Sequence, residues 1–155
     1  MDSIKKTPAR YTSLNQAILD GLFSGFGAGA GMALFMLVVG FASGLGPRDV
    51  LVGFSPGPNA GPLAGIVTHL AVSGVYGLIF GLLDYFVFQH IRIMSFPWRG
   101  LILGGAYGSI LWLFAVGFVL SSNSPMLEFP AIGLVAAHLV YGMILGVLIG
   151  RTRSA

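Results

Sequence analysis

GIVTHLAVSGVYGLIFG, residues 65–81, decides the fold. Taken at every fourth position it presents Gly65, His69, Ser73, Gly77 and Gly81. Residues four apart share one face of a helix, so this face is almost bare of side chains and carries one imidazole near its start. The surrounding apolar run, Pro62 to Phe88, is long enough to cross a hydrocarbon core that needs about 20 helical residues. Lipid exerts no hydrophobic pressure between helices, and close backbone approach through small residues does that work instead. A near-copy of the pattern follows at His138, Gly142, Gly146 and Gly150.

Composition agrees. The 155-residue chain is 55% hydrophobic and 8% charged, with a mean hydropathy of +0.89. Soluble domains are about one quarter charged, so this chain lacks the means to cover a water-facing surface. It reads as an integral membrane protein. The absence of cysteine excludes disulfides, thiolate metal sites, iron–sulfur clusters and covalent c-type haem attachment. The net charge of +3 is better read by position, as topology, than as a nucleic-acid surface, and no nucleic-acid partner is expected.

Working outward, residues 1–16 form a polar leader with Lys5, Lys6 and Arg10, residues 17–150 form a transmembrane domain, and residues 151–155 form a short tail. Four spans are expected, at about 17–43, 62–88, 99–120 and 130–150. The first is too long for the apolar region of a cleaved signal peptide and has Asp20 near its start, so it is retained. GLGPRDVLVGFSPGPNAG, residues 44–61, holds three prolines and five glycines and is expected to be a loop. Lys5, Lys6, Arg10, Arg92, Arg99, Arg151 and Arg153 fall on one side of the membrane and Arg48 on the other. The positive-inside rule then puts both termini in the cytoplasm, with Tyr85, Phe96 and Trp98 as boundary aromatics.

The small residues also betray a repeat. Gly21, Gly25 and Gly29 match Gly100, Gly104 and Gly108 at a shift of 79 residues. His69, Ser73, Gly77 and Gly81 match His138, Gly142, Gly146 and Gly150 at a shift of 69. The fold class is therefore an all-α membrane protein of four helices, a duplicated hairpin packed through small-xxx-small stripes. Its two halves share one orientation, unlike the inverted repeats of many alternating-access carriers. No proline interrupts a span and no carboxylate lies deep in one, which weighs against a carrier or channel for a small solute.

His69 and His138 are the candidates for chemistry, because an ionisable residue inside a membrane marks a functional site by default. Each lies about two turns into its span, at matched depth, roughly 10 Å below the outer surface. Two facing imidazoles suit axial ligation of a haem b, with Ser73 and Gly142 leaving room for the macrocycle. Otherwise each neutral ring hydrogen-bonds across helices, to Thr68, Tyr76 or Tyr141. Tyr76, Tyr107 and Tyr141 are expected to tie neighbouring helices together. Asp20 and Arg99 are expected to form an interfacial pair, with His90 in solvent. GFGAGAG at 25–31 lies in mid-span without the strand and acidic residue of a dinucleotide fingerprint, and is rejected. No catalytic set or metal-ligand cluster stands out.

GLFSGFGAG, HLAVSGVYG, RGLILGGAYG and HLVYGMILG together resemble uncharacterised four-helix bacterial inner-membrane proteins, a group with no function to transfer. The resemblance implies a bacterial inner membrane. The expectation for function is a non-catalytic accessory or structural subunit, in contact with lipid and with other membrane subunits or a second copy of itself. A haem- or quinone-binding electron-transfer subunit is the alternative.

Overall fold

The computed structural model describes residues 13–57, 59–91, 97–119 and 125–152. Lys5, Lys6, Arg10, Arg92, Phe96 and Arg153, on which the expected orientation partly rests, lie outside them, as does most of the expected leader. The described residues are helical and contain no strand. The helices are α1 (Leu14–Ala42), α2 (Pro47–Gly53), α3 (Pro62–Phe86), α4 (Trp98–Phe114) and α5 (Ala131–Thr152). Four of these segments are long and apolar enough to cross a membrane: Leu14–Ala42, Pro62–His90, Trp98–Gly117 and Ala131–Thr152.

Local chemistry sets the ends. Ser13 Oγ accepts the Gln16 N–H at 3.2 Å, so α1 starts at Leu14, three residues before the expected start at Ala17. Gly44, with φ +86°, closes α1 in the left-handed conformation that glycine tolerates. The Leu45 N–H then reaches back to Gly40 O at 2.9 Å and the Gly44 N–H to Phe41 O at 3.1 Å, which satisfies two terminal carbonyls. Segment 44–61 is not all loop. Pro47 takes the first-turn position and Asp49 Oδ2 accepts the Gly46 N–H at 3.1 Å, and together they start the seven-residue α2. Beyond Phe114 the chain continues as a π-turn, Ala115–Val119, and a 3-10 turn, Pro125–Glu128, precedes α5.

The four long helices form a ring in which α1 lies between α3 and α5, and α5 lies between α1 and α4. Two of the contacts are made by backbone. On α1 and α3, Gly21 faces Gly77 and Gly81, Gly25 faces Ser73 and Gly77, and Gly29 faces Ser73. A methyl group on Gly25 would sit 2.5 Å from Ser73 O, well inside van der Waals contact. On α4 and α5, Gly100 faces Gly146, Gly104 faces Gly142 and Gly146, and Gly108 faces His138 and Gly142. A methyl group on Gly100 would meet Gly146 O at 2.5 Å. Gly81 also meets the carbonyl of Ala17.

α1 and α5 approach through mixed contacts, Gly27 against Leu148 and Gly31 against Ile144. α3 and α4 meet through side chains: the Tyr107 ring lies edge-on to Phe80, with centroids 5.0 Å apart. Between the pairs sits the core, including Met32, Met36, Phe80, Leu111, Leu145 and Ile149. Phe23, Leu34, Val38, Phe41, Ile110 and Ile132 point outward, each more than half exposed. The short α2 lies across one end of the ring. Its Val50 is buried against Gly40, and the Leu51 carbonyl packs onto Gly65. Gly65 thus faces α2 rather than another long helix.

Replacing Gly77 by Leu should lower unfolding stability in detergent by at least about 3 kcal/mol, since the obstacle is backbone on α1 and is unable to repack. Gly57→Ala, which enters open space, should stay within about 0.5 kcal/mol. Thermal denaturation followed by tryptophan fluorescence compares them, and equal losses would show that the backbone contact does not limit packing.

Candidate functional site

His69 ends the second turn of α3. Its Nε2 lies 3.0 Å from Gly29 O on α1. A carbonyl only accepts, so Nε2 carries the proton and Nδ1 keeps a lone pair. The ring stacks on Phe54, just past α2, with centroids 4.3 Å apart and planes 25° from parallel. The imidazole therefore joins three elements. The expected partners Thr68, Tyr76 and Tyr141 are replaced by a backbone carbonyl, which the missing side chain of Gly29 leaves accessible.

His138 behaves differently. Its Nδ1–H donates to Leu134 O, 2.8 Å away on the preceding turn of its own helix. The lone pair then remains on Nε2. The two rings, alike in sequence context, present different nitrogens. That leaves one lone pair on Nδ1 and one on Nε2. Among the described residues no three His, Cys, Asp or Glu side chains come together as a metal site.

The tyrosines act between helices. Tyr107 OH on α4 donates to Tyr76 O at 2.8 Å, and Tyr141 OH on α5 donates to Ser73 O at 2.7 Å. Both acceptors belong to α3, so it is tied to α4 and to α5 by hydroxyl groups. Tyr76 contributes its carbonyl to this arrangement. Ser73, expected only as a small residue, supplies contacts to both Gly25 and Gly29 and accepts the Tyr141 bond.

The charged pair differs from expectation. Arg99 Nη2 donates to Asp84 Oδ1 at 3.3 Å and also to Phe88 O, with the two side chains 16% and 6% exposed. Asp20 is not its partner, because α1 and α4 occupy opposite corners of the ring. Asp84 and Arg99 sit on facing helices, at the end of the bundle that holds the start of α1. His90 is exposed, and Gln89 Nε2 donates to Tyr85 O. Gly150 lies half-buried in the last turn of α5.

No family model, curated protein or solved structure matches this chain. Several packing residues escaped the sequence reading, Ala17, Phe26 and Leu51 among them. Phe26 lies against Gly74, off the fourfold spacing, so the periodic pattern alone does not reveal it.

Tyr141→Phe should cost about 0.6 kcal/mol, a typical interhelical hydrogen bond in a membrane, because Ser73 O keeps its own helical donor. Arg99→Leu should cost roughly 3 kcal/mol, because it takes the ion partner from a buried carboxylate. Unfolding in mixed detergent and SDS measures both, and the reverse order would mean that the ion pair is solvated.

Proposed function

We propose that this chain is a non-catalytic accessory subunit that acts by lateral contact within a membrane. One observation carries the reading: both histidines and both deep tyrosines end on backbone carbonyls of the bundle itself. Groups spent in this way hold helices together. The glycine contacts support packing seams as the organising device, and their matched positions support two copies of one hairpin. The exterior is a belt of Phe, Leu, Val and Ile that suits lipid and the apolar face of a second membrane protein or another copy of this one.

We place both termini in the cytoplasm of a bacterial inner membrane. The support is the distribution of basic residues, with Arg48 alone on the side of α2. Asn59→Cys should then react with an impermeant thiol reagent in intact cells, a clean assay in a chain without cysteine. Labelling only after lysis would reverse the orientation.

Gentle purification followed by native electrophoresis and mass spectrometry of the band tests the accessory role. The expected result is a stoichiometric companion subunit or a defined homo-oligomer, in a colourless preparation. Migration as a free monomer in several detergents would remove the support. A Soret band lost in both His69→Ala and His138→Ala would replace this reading with electron transfer through haem b.

A further inference from the structure

We propose that His69 and His138 form a binding site for a lipid-soluble hydroquinone, entered between α3 and α4. Each imidazole spends one nitrogen on a backbone carbonyl, His69 Nε2–H on Gly29 O and His138 Nδ1–H on Leu134 O. Those bonds fix the tautomers, so both rings present an acceptor, Nδ1 of His69 and Nε2 of His138. Neither acceptor has a hydrogen-bond partner among the described residues, and both rings are only partly buried. The two rings share one level of the bundle. Tyr141 OH on α5 donates to Ser73 O on α3. His138 lies three residues before that tyrosine and His69 four before that serine, on the same helix faces. Both helices run against α1 and therefore in one direction. Both imidazoles thus stand one turn beyond the Tyr141–Ser73 bond, and a charge on one ring is felt at the other.

The surroundings select the ligand. α1–α3, α1–α5 and α4–α5 are the sides of the ring in close contact, which leaves α3–α4 as its open side. Tyr107 on Tyr76 O and Arg99 on Asp84 tie that side together, both across the Tyr141–Ser73 bond from the histidines. On the histidines' own side the neighbours are apolar: Phe54 stacks on His69, and Leu111 is buried one turn past Tyr107. Two turns into a span, roughly 10 Å deep, the rings lie below the charged headgroups. A ligand that reaches them comes from the hydrocarbon and brings its own donors. A hydroquinone carries two O–H groups at opposite ends of an apolar ring, one for each acceptor. The matching quinone carries two carbonyl oxygens, which would set lone pair against lone pair. Neutral imidazoles held in these tautomers therefore prefer the reduced form. Binding alone is involved, and no bond in the ligand breaks.

Calorimetric titration of the purified full-length protein in detergent tests this, with a decyl-substituted para-hydroquinone, its dimethyl ether and the matching quinone as probes. The hydroquinone should bind about tenfold more tightly than either of the others, since each of those lacks both donors. Equal affinities, or no binding of the hydroquinone, would overturn the proposal. His138→Phe should weaken hydroquinone binding about fivefold and leave the dimethyl ether unaffected. His138 is the better position to change, because its own bond stays within α5 and its loss separates no helices. An unchanged hydroquinone affinity in that variant would also overturn the proposal. Should the variant fail to fold, the comparison of hydroquinone with dimethyl ether on the unaltered chain decides. The proposal goes beyond the lateral-contact role and does not rest on it: a free monomer in native electrophoresis would leave this site standing, and failure here leaves that role to its own test.

Discussion

Direct contact between helix backbones is the constraint from which the rest of this structure follows. In α1–α3 and α4–α5 the carbonyl of one helix occupies the space that a methyl group on the other would need. Glycine inside a helix is unfavourable in water by about 1 kcal/mol relative to alanine. In hydrocarbon the backbone has no other partners than its own helix, so that penalty loses much of its force and close approach is rewarded by dispersion. Because those faces carry no side chains, the bulk needed to fill the bundle falls between the two pairs. Met32, Met36, Leu145, Ile149, Phe80 and Tyr107 supply it.

The two remaining seams are unlike. α1 and α5 come together around Ala28, which is fully buried, and glycines 27 and 31. On the proposed duplication Tyr107 stands in α4 where Ala28 stands in α1. Its ring and hydroxyl hold α4 to α3 by an edge contact with Phe80 and a bond to Tyr76 O. An alanine allows backbones to close, and a tyrosine keeps them apart while bonding them. On that proposal, a small residue in one hairpin and a large one at the matched position of the other go with one tight and one aromatic contact between the hairpins.

The long helices were legible because apolar length and small-residue spacing are properties of single segments. What failed to show in the sequence depended on which helices are neighbours. Asp20 and Arg99 occupy matching places at the starts of α1 and α4, but those helices do not face each other, and the guanidinium takes Asp84 instead. His69 found the carbonyl of Gly29, a partner invisible to side-chain reasoning since every residue has one. His138, at a matching place in α5, turned to its own helix. α2 was hidden by the glycines and prolines around it, though Pro47 and Asp49 were the sort of residues that begin a helix. Gly65 followed from the same oversight, since its neighbour is that unforeseen helix.

On the proposed accessory role, the interior of the bundle is scaffold and the lipid-facing surface carries the function. Photo-activatable cross-linking in living cells addresses that claim most directly, with the reactive residue placed in turn at Leu34, Val75, Ile110 and Ile132, which are exposed on the four long helices. One face should yield a discrete protein adduct, identifiable by mass spectrometry, while the other faces yield lipid. Lipid adducts alone at all four positions would contradict it.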